Sequence, residues 1–209
     1  MKRILFIAAL LSTVTLIAQT KYEIAMQNGL NNTKAIKKAE EANTLAAYFE
    51  RIGDAEKTQW LPYYYAANNY ILAAWMSTAT DKDKAAEKIN TLITKAEAIE
   101  KENSEIYCLK QQVAVLQLTV DPRNRWQAFG AQASEALAKA KMLDPTNPRP
   151  YFLEGQYLLN VPETFGGGKV VAKKIFEKAI SLFSVNKPAS ALHPSWGKAE
   201  TERALAACL

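Results

Sequence analysis

A chain of 209 residues, 49% of them hydrophobic, can bury a full core as one domain, and no long like-charge run marks a disordered tail. The net charge of +5 comes without a basic stripe interleaved with aromatics, which argues against nucleic acid as a partner. Two cysteines in this length exclude a disulfide framework.

The first residues read as a leader. Lys2 and Arg3 form a charged start, Ile4 to Ile17 is a mostly apolar run, and Ala18 precedes Gln19. This is the pattern of a secretory signal peptide, with cleavage expected after Ala18. Removing Lys2 and Arg3 lowers the net charge by two, to +3. The apolar run is shorter than the roughly 20 residues that a spanning helix needs. The expected organisation is therefore residues 1–18 as leader and 19–209 as one exported helical domain, periplasmic or secreted, with no later membrane span.

The mature chain starts with a short helical candidate, Lys21 to Asn31. Thr44 to Glu56 follows, with Asn43 as its N-cap and Leu45, Tyr48, Phe49 and Ile52 at helical period. Trp60 to Ser77 is the most apolar mature segment, and Pro62 fits a first helical turn. Asp81 caps a helix reaching about Lys101. Asn103 or Ser104 opens another through Val120, which Asp121-Pro122 ends. A helix from about Arg125 stops at Asp144-Pro145. Residues 147–183 read as two antiparallel helices around a Gly-rich corner. A proline-containing connector, Lys187 to Pro194, leads to a last helix from about Ser195 to Cys208. No alternating strand pattern is flanked by turn signals.

An internal repeat organises these elements. Pro62 opens PYYYAANNY, Ile106 opens IYCLKQQVA and Pro150 opens PYFLEGQYL, so Tyr63, Tyr107 and Tyr151 recur at 44-residue intervals. The second helices keep time: Ile89, Ile93 and Ala96, then Ala133, Leu137 and Ala140, then Ala172, Phe176 and Ala179 after a shorter corner. Leu45, Phe49 and Ile52 extend the set backward, as a second helix without a first. Ala133, Leu137, Ala140 and Pro145 match the small–x3–bulky–x2–Ala–x4–Pro second helix of tetratricopeptide repeats, which residues 45–183 resemble. Tyr63/Ala67 and Tyr151/Gly155 match that family's first helix, and Tyr107/Gln111 departs from it. The Phe165–Gly168 corner before a helix also resembles the T component of TRAP transporter systems. The expected fold is all-α: eight or nine helices after the leader, stacked as antiparallel pairs in a TPR-like solenoid with long corners.

Catalytic constellations are weak. Gly166-Gly167-Gly168-Lys169 lacks the Ser or Thr and the preceding strand of a phosphate loop, and reads as a tight turn. His193 is the only histidine and has no ligand cluster near it in sequence. Glu100/Glu102 and Glu200/Glu202 lie among basic residues on helix surfaces. The chain is expected to be no enzyme and to hold no cofactor. Cys108 and Cys208 are compatible with a disulfide in an oxidising envelope, and equally with buried thiols.

The resemblance implies that first helices line a concave face. Tyr64, Cys108 and Phe152 stand about 100° from the repeated tyrosines, and Asn68, Gln112 and Gln156 about 140° away, on one side. An amide ladder of Asn68, Gln112 and Gln156, flanked by Tyr64 and Phe152, is the expected groove for a peptide or partner protein. The alternative is a solute- or lipid-binding component of an envelope transport system.

Overall fold

The computed structural model describes residues 21–208, and every regular element in them is helical. Helix α1 covers residues 21–33. It is followed by α2 (Ala39–Glu56), α3 (Trp60–Met76), α4 (Lys82–Ile99), α5 (Ser104–Leu118), α6 (Pro122–Leu143), α7 (Arg149–Leu159), α8 (Lys169–Phe183) and α9 (Lys198–Ala206). A one-turn 3₁₀ helix, Glu163–Phe165, lies in the α7–α8 corner. Consecutive helices pack on one another. Contacts of α3 with α5 and of α5 with α7 set the first helices side by side. This is the expected stack of helix pairs, with α9 at its end. The expected leader lies outside the described residues. Among the described residues no helix is long and apolar enough to cross a membrane.

The corners follow from local chemistry. Asp81 accepts from the Lys84 amide at 3.1 Å and Asn103 from the Glu105 amide at 2.8 Å, which satisfies N–H groups that a helix start leaves open. Asp121-Pro122 does more than end α5. Asp121 accepts from the Asn124 amide, Pro122 occupies the first turn, and α6 begins three residues before the expected Arg125. Helix α2 starts at Ala39 rather than after Asn43. Glu41 reaches back to the amides of Lys37 and Lys38 at 2.7 and 3.2 Å and caps it there. In the glycine corner Gly166 and Gly168 take φ of 83° and 92°. A Cβ on Gly167 would sit 2.2 Å from the Val161 carbonyl oxygen, so a tight turn is what the three glycines make.

Two apolar clusters form the core. One gathers α1 to α5 around Met26, Phe49, Tyr64, Ile89 and Leu109. The other gathers α5 to α9 around Cys108, Leu137, Phe152 and Phe176. Helix α2 does not open the array alone: Tyr22 and Met26 of α1 are buried on the same cluster, and Tyr48 donates its hydroxyl to the Ala25 carbonyl at 3.0 Å. Both cysteines are free thiols.

Candidate functional site

The first two turns of helix α3 are apolar on all sides, and the fold buries Leu61 to Ala67 throughout, as such a segment requires. Tyr63 donates to Asp54 of α2 at 3.0 Å. Tyr65 donates to the Leu192 carbonyl at 2.8 Å. Tyr64, expected to point away from the core stripe, is 0% exposed. The segment 187–197 between α8 and α9 is the cover. It lies across α3 as a strap, with the His193 ring edge-on to Trp60 at 5.9 Å and Leu192 packed on the first core cluster.

Beneath the strap sits a buried polar network. Trp196 Nε1 donates to Tyr64 Oη at 2.7 Å, and that hydroxyl donates to Glu105 Oε2 at 3.1 Å. Asn147 Nδ2 donates to Glu105 Oε1 at 2.7 Å and to Ser104 Oγ at 3.0 Å. Arg149 Nε lies 2.9 and 3.0 Å from the two Glu105 oxygens, and Nη2 donates to the Pro194 carbonyl of the strap. The guanidinium also stands over the Trp196 ring, 5.7 Å from its centroid. Burial pushes the Glu105 carboxyl above its ordinary range, against the pull of Arg149. Burial likewise pushes the Tyr64 hydroxyl and the Cys108 thiol well up, with Glu105 adding to both. A thiol so held is poorly suited to act as a nucleophile.

The amides Asn68 and Gln112 are half-buried and Gln156 is exposed, one turn along α3, α5 and α7 from Tyr64, Cys108 and Phe152. Gln112 Nε2 donates to the Cys108 carbonyl at 3.4 Å. Phe152 is buried, with its ring 6.2 Å from Trp196. Tyr64 and Phe152 therefore do not flank an open groove, because the Trp196 indole covers them. Trp196 is the residue that sequence reasoning passed over. It falls 44 residues after Phe152 and so continues the row of Tyr64, Cys108 and Phe152, but a connector with two prolines hid that register.

Most exposed large apolar side chains among the described residues gather elsewhere, at the corners joining first to second helices. Leu72, Trp75 and Met76 stand at the first corner, Val120 and Trp126 at the second, Phe165 and Val170 at the third. Lys82 stands over the Trp75 ring at 4.8 Å and donates to Thr119 Oγ1 at 3.0 Å, tying the first corner to the second. Trp126 and Phe165 are 56% and 76% exposed, yet their rings meet, with centroids 6.5 Å apart and planes 32° from parallel. Two large rings from separate elements thus present one aromatic surface to solvent. Arg123 lies on the Trp126 side of α6, three residues earlier, and Lys169 four residues after Phe165; both are exposed. Among the described residues no group of three or more His, Cys, Asp or Glu side chains could hold a metal ion.

No protein-family model matches the chain, and no curated protein does. A solved structure does match: the HusA haemophore from Porphyromonas gingivalis, with 35% sequence identity and a TM-score of 0.82, over 90% of this chain and 92% of that one. The chain belongs to the HusA haemophore family. The match to HusA confirms a stack of helices over nearly the whole length, while the narrower tetratricopeptide and TRAP resemblances find no matching model.

Proposed function

We propose that this chain is an exported haem-binding protein that seats the porphyrin against the exposed aromatic surface of Trp126 and Phe165. The observation that carries the reading is the 35% identity, over 90% of the chain, to a protein named as a haemophore. The leader expected at residues 1–18 supports export. The aromatic pair supports the location: a flat macrocycle gains stacking and apolar burial on paired rings. Arg123 and Lys169 beside it supply cations for the porphyrin carboxylates. The reading is of binding and carriage, not catalysis. A peptide groove on Asn68, Gln112 and Gln156 remains a separate proposal, and it has no relative in its support.

Titrating ferric haem into the protein at micromolar concentration tests the reading. A saturable change in the Soret band is expected. Trp126→Ala should weaken binding about tenfold, equivalent to about 1.4 kcal/mol, with an unchanged melting temperature because the side chain is exposed. Trp75→Ala should leave the affinity unaltered. Absence of saturable binding refutes the function, and undiminished binding by Trp126→Ala refutes the site.

A further inference from the structure

We propose that the strap over residues 187–197 is a latch on an internal carboxylate site whose receiving group is Arg149. Arg149 is 3% exposed, and its Nη1 is buried with no hydrogen-bond partner among the described residues. A buried guanidinium N–H without a partner is costly and points to an acceptor that belongs there in another state. The other donors are placed so as to reveal that state. Nε is committed to Glu105, a partner on α5 that does not depend on the strap. Nη2 is committed to the Pro194 carbonyl, which leaves with the strap. Lifting the strap therefore frees Nη2 beside the already unpartnered Nη1, and that two-pronged end of a guanidinium matches a carboxylate bidentately.

The walls specify the rest of the ligand. Trp196 occupies a slot against Phe152, beside the Tyr64 hydroxyl and beneath the Arg149 cation. A flat aromatic ring that replaced the indole would inherit those contacts, and a carboxylate on it would reach the freed fork. The latch is built to let go. Segment 187–197 carries no helix, six of its eleven residues are exposed, and side-chain hydrogen bonds fasten it at Leu192, Pro194 and Trp196. The ligand class is a planar aromatic carboxylate, and the inference stands apart from the haem surface at Trp126.

The test is isothermal titration of 1-naphthoate, with every protein carrying Trp126→Ala so that the external aromatic pair contributes nothing. Removing the indole by Trp196→Ala should tighten naphthoate binding at least tenfold relative to the Trp196 protein. The uncharged isostere 1-naphthamide should bind that variant at least tenfold more weakly than naphthoate does. Helical circular dichroism checks the fold. If Trp196→Ala does not fold, Trp196→Phe decides, since it keeps a ring while losing the Nε1–H bond to Tyr64 and part of the indole's volume; naphthoate affinity should then rise severalfold. Equal affinity with and without the indole overturns the latch. Equal affinity for acid and amide leaves Nη1 to a buried water and overturns the carboxylate site.

Discussion

Glu105 and Arg149 are opposite charges taken out of water together, so each is tolerable only while the other is present. Replacing Arg149 by Met strands a buried carboxylate, and the cost at pH 7 should be about 3–5 kcal/mol. The sign of its pH dependence follows from the direction of the shift. Burial already holds the Glu105 carboxyl above its ordinary 4.5, so the folded chain binds that proton more tightly than the unfolded chain. Loss of the guanidinium moves it further up. The deficit of the variant relative to wild type is therefore larger at pH 7 and shrinks as pH falls from the variant's folded value to the lower folded value of the wild type. Urea unfolding of both proteins at pH 7 and at about pH 5 measures this; a pH-independent deficit would show that charge is not its source. Adding Glu105→Gln to Arg149→Met should recover part of the loss at pH 7, because the two residues share one interaction.

At the scale of elements, pairing depends on small residues that receive aromatic rings. A Cβ on Gly155 of α7 would fall 2.5 Å from the Phe176 ring of α8, and Gly53 stands in the same relation to Tyr63. Phe176 is fully buried between Ala172 and Ala179, so Phe176→Ala should cost about 3–5 kcal/mol, read by chemical denaturation. A loss under about 1 kcal/mol would place the ring outside the core. This register was legible in advance, because Ala172, Phe176 and Ala179 repeat earlier second helices and the 44-residue spacing of Tyr63, Tyr107 and Tyr151 marks the first. Caps at Asp81 and Asn103 were legible for the same reason: they are local. The start of α2 was not, since Glu41 caps it from inside the helix. The site was scarcely legible. Trp126 and Phe165 belong to different elements and meet only after α6 and the α7–α8 corner fold together, and nothing in their spacing announces it. The burial of Tyr64 is not legible in its neighbours because its cover, Trp196, lies 132 residues away.

Across the whole molecule the strap adds a tie between the two core clusters. The two core clusters meet through α5, which contributes Ile106, Leu109 and Val113 to one and Cys108 to the other. Stacked helix pairs contact mainly their neighbours, so cooperativity along such an array depends on each interface in turn. The strap adds a link that skips the array: Leu192 packs on the first cluster, Trp196 on the second, and Tyr65 and Arg149 hold the backbone between them. The intact protein should therefore unfold in one transition. Deleting residues 187–209 removes the link and α9 and uncovers Tyr64 and Phe152, leaving α5 and the Arg125–Asp83 ion pair between α6 and α4 to couple the clusters. Urea unfolding of that variant should separate into two steps. With Trp126→Phe and Trp196→Phe in the intact chain, and Trp126→Phe in the truncated one, tryptophan fluorescence comes from Trp60 and Trp75 on α3 and reports the first cluster, whereas far-ultraviolet circular dichroism reports helices of both. The two probes should give coincident midpoints for the intact chain and different midpoints for the truncated one, which is the standard test of a two-state transition. Coincident midpoints in the truncated chain would show that α5 and the Arg125–Asp83 pair carry the coupling and that the strap covers the network without joining the halves.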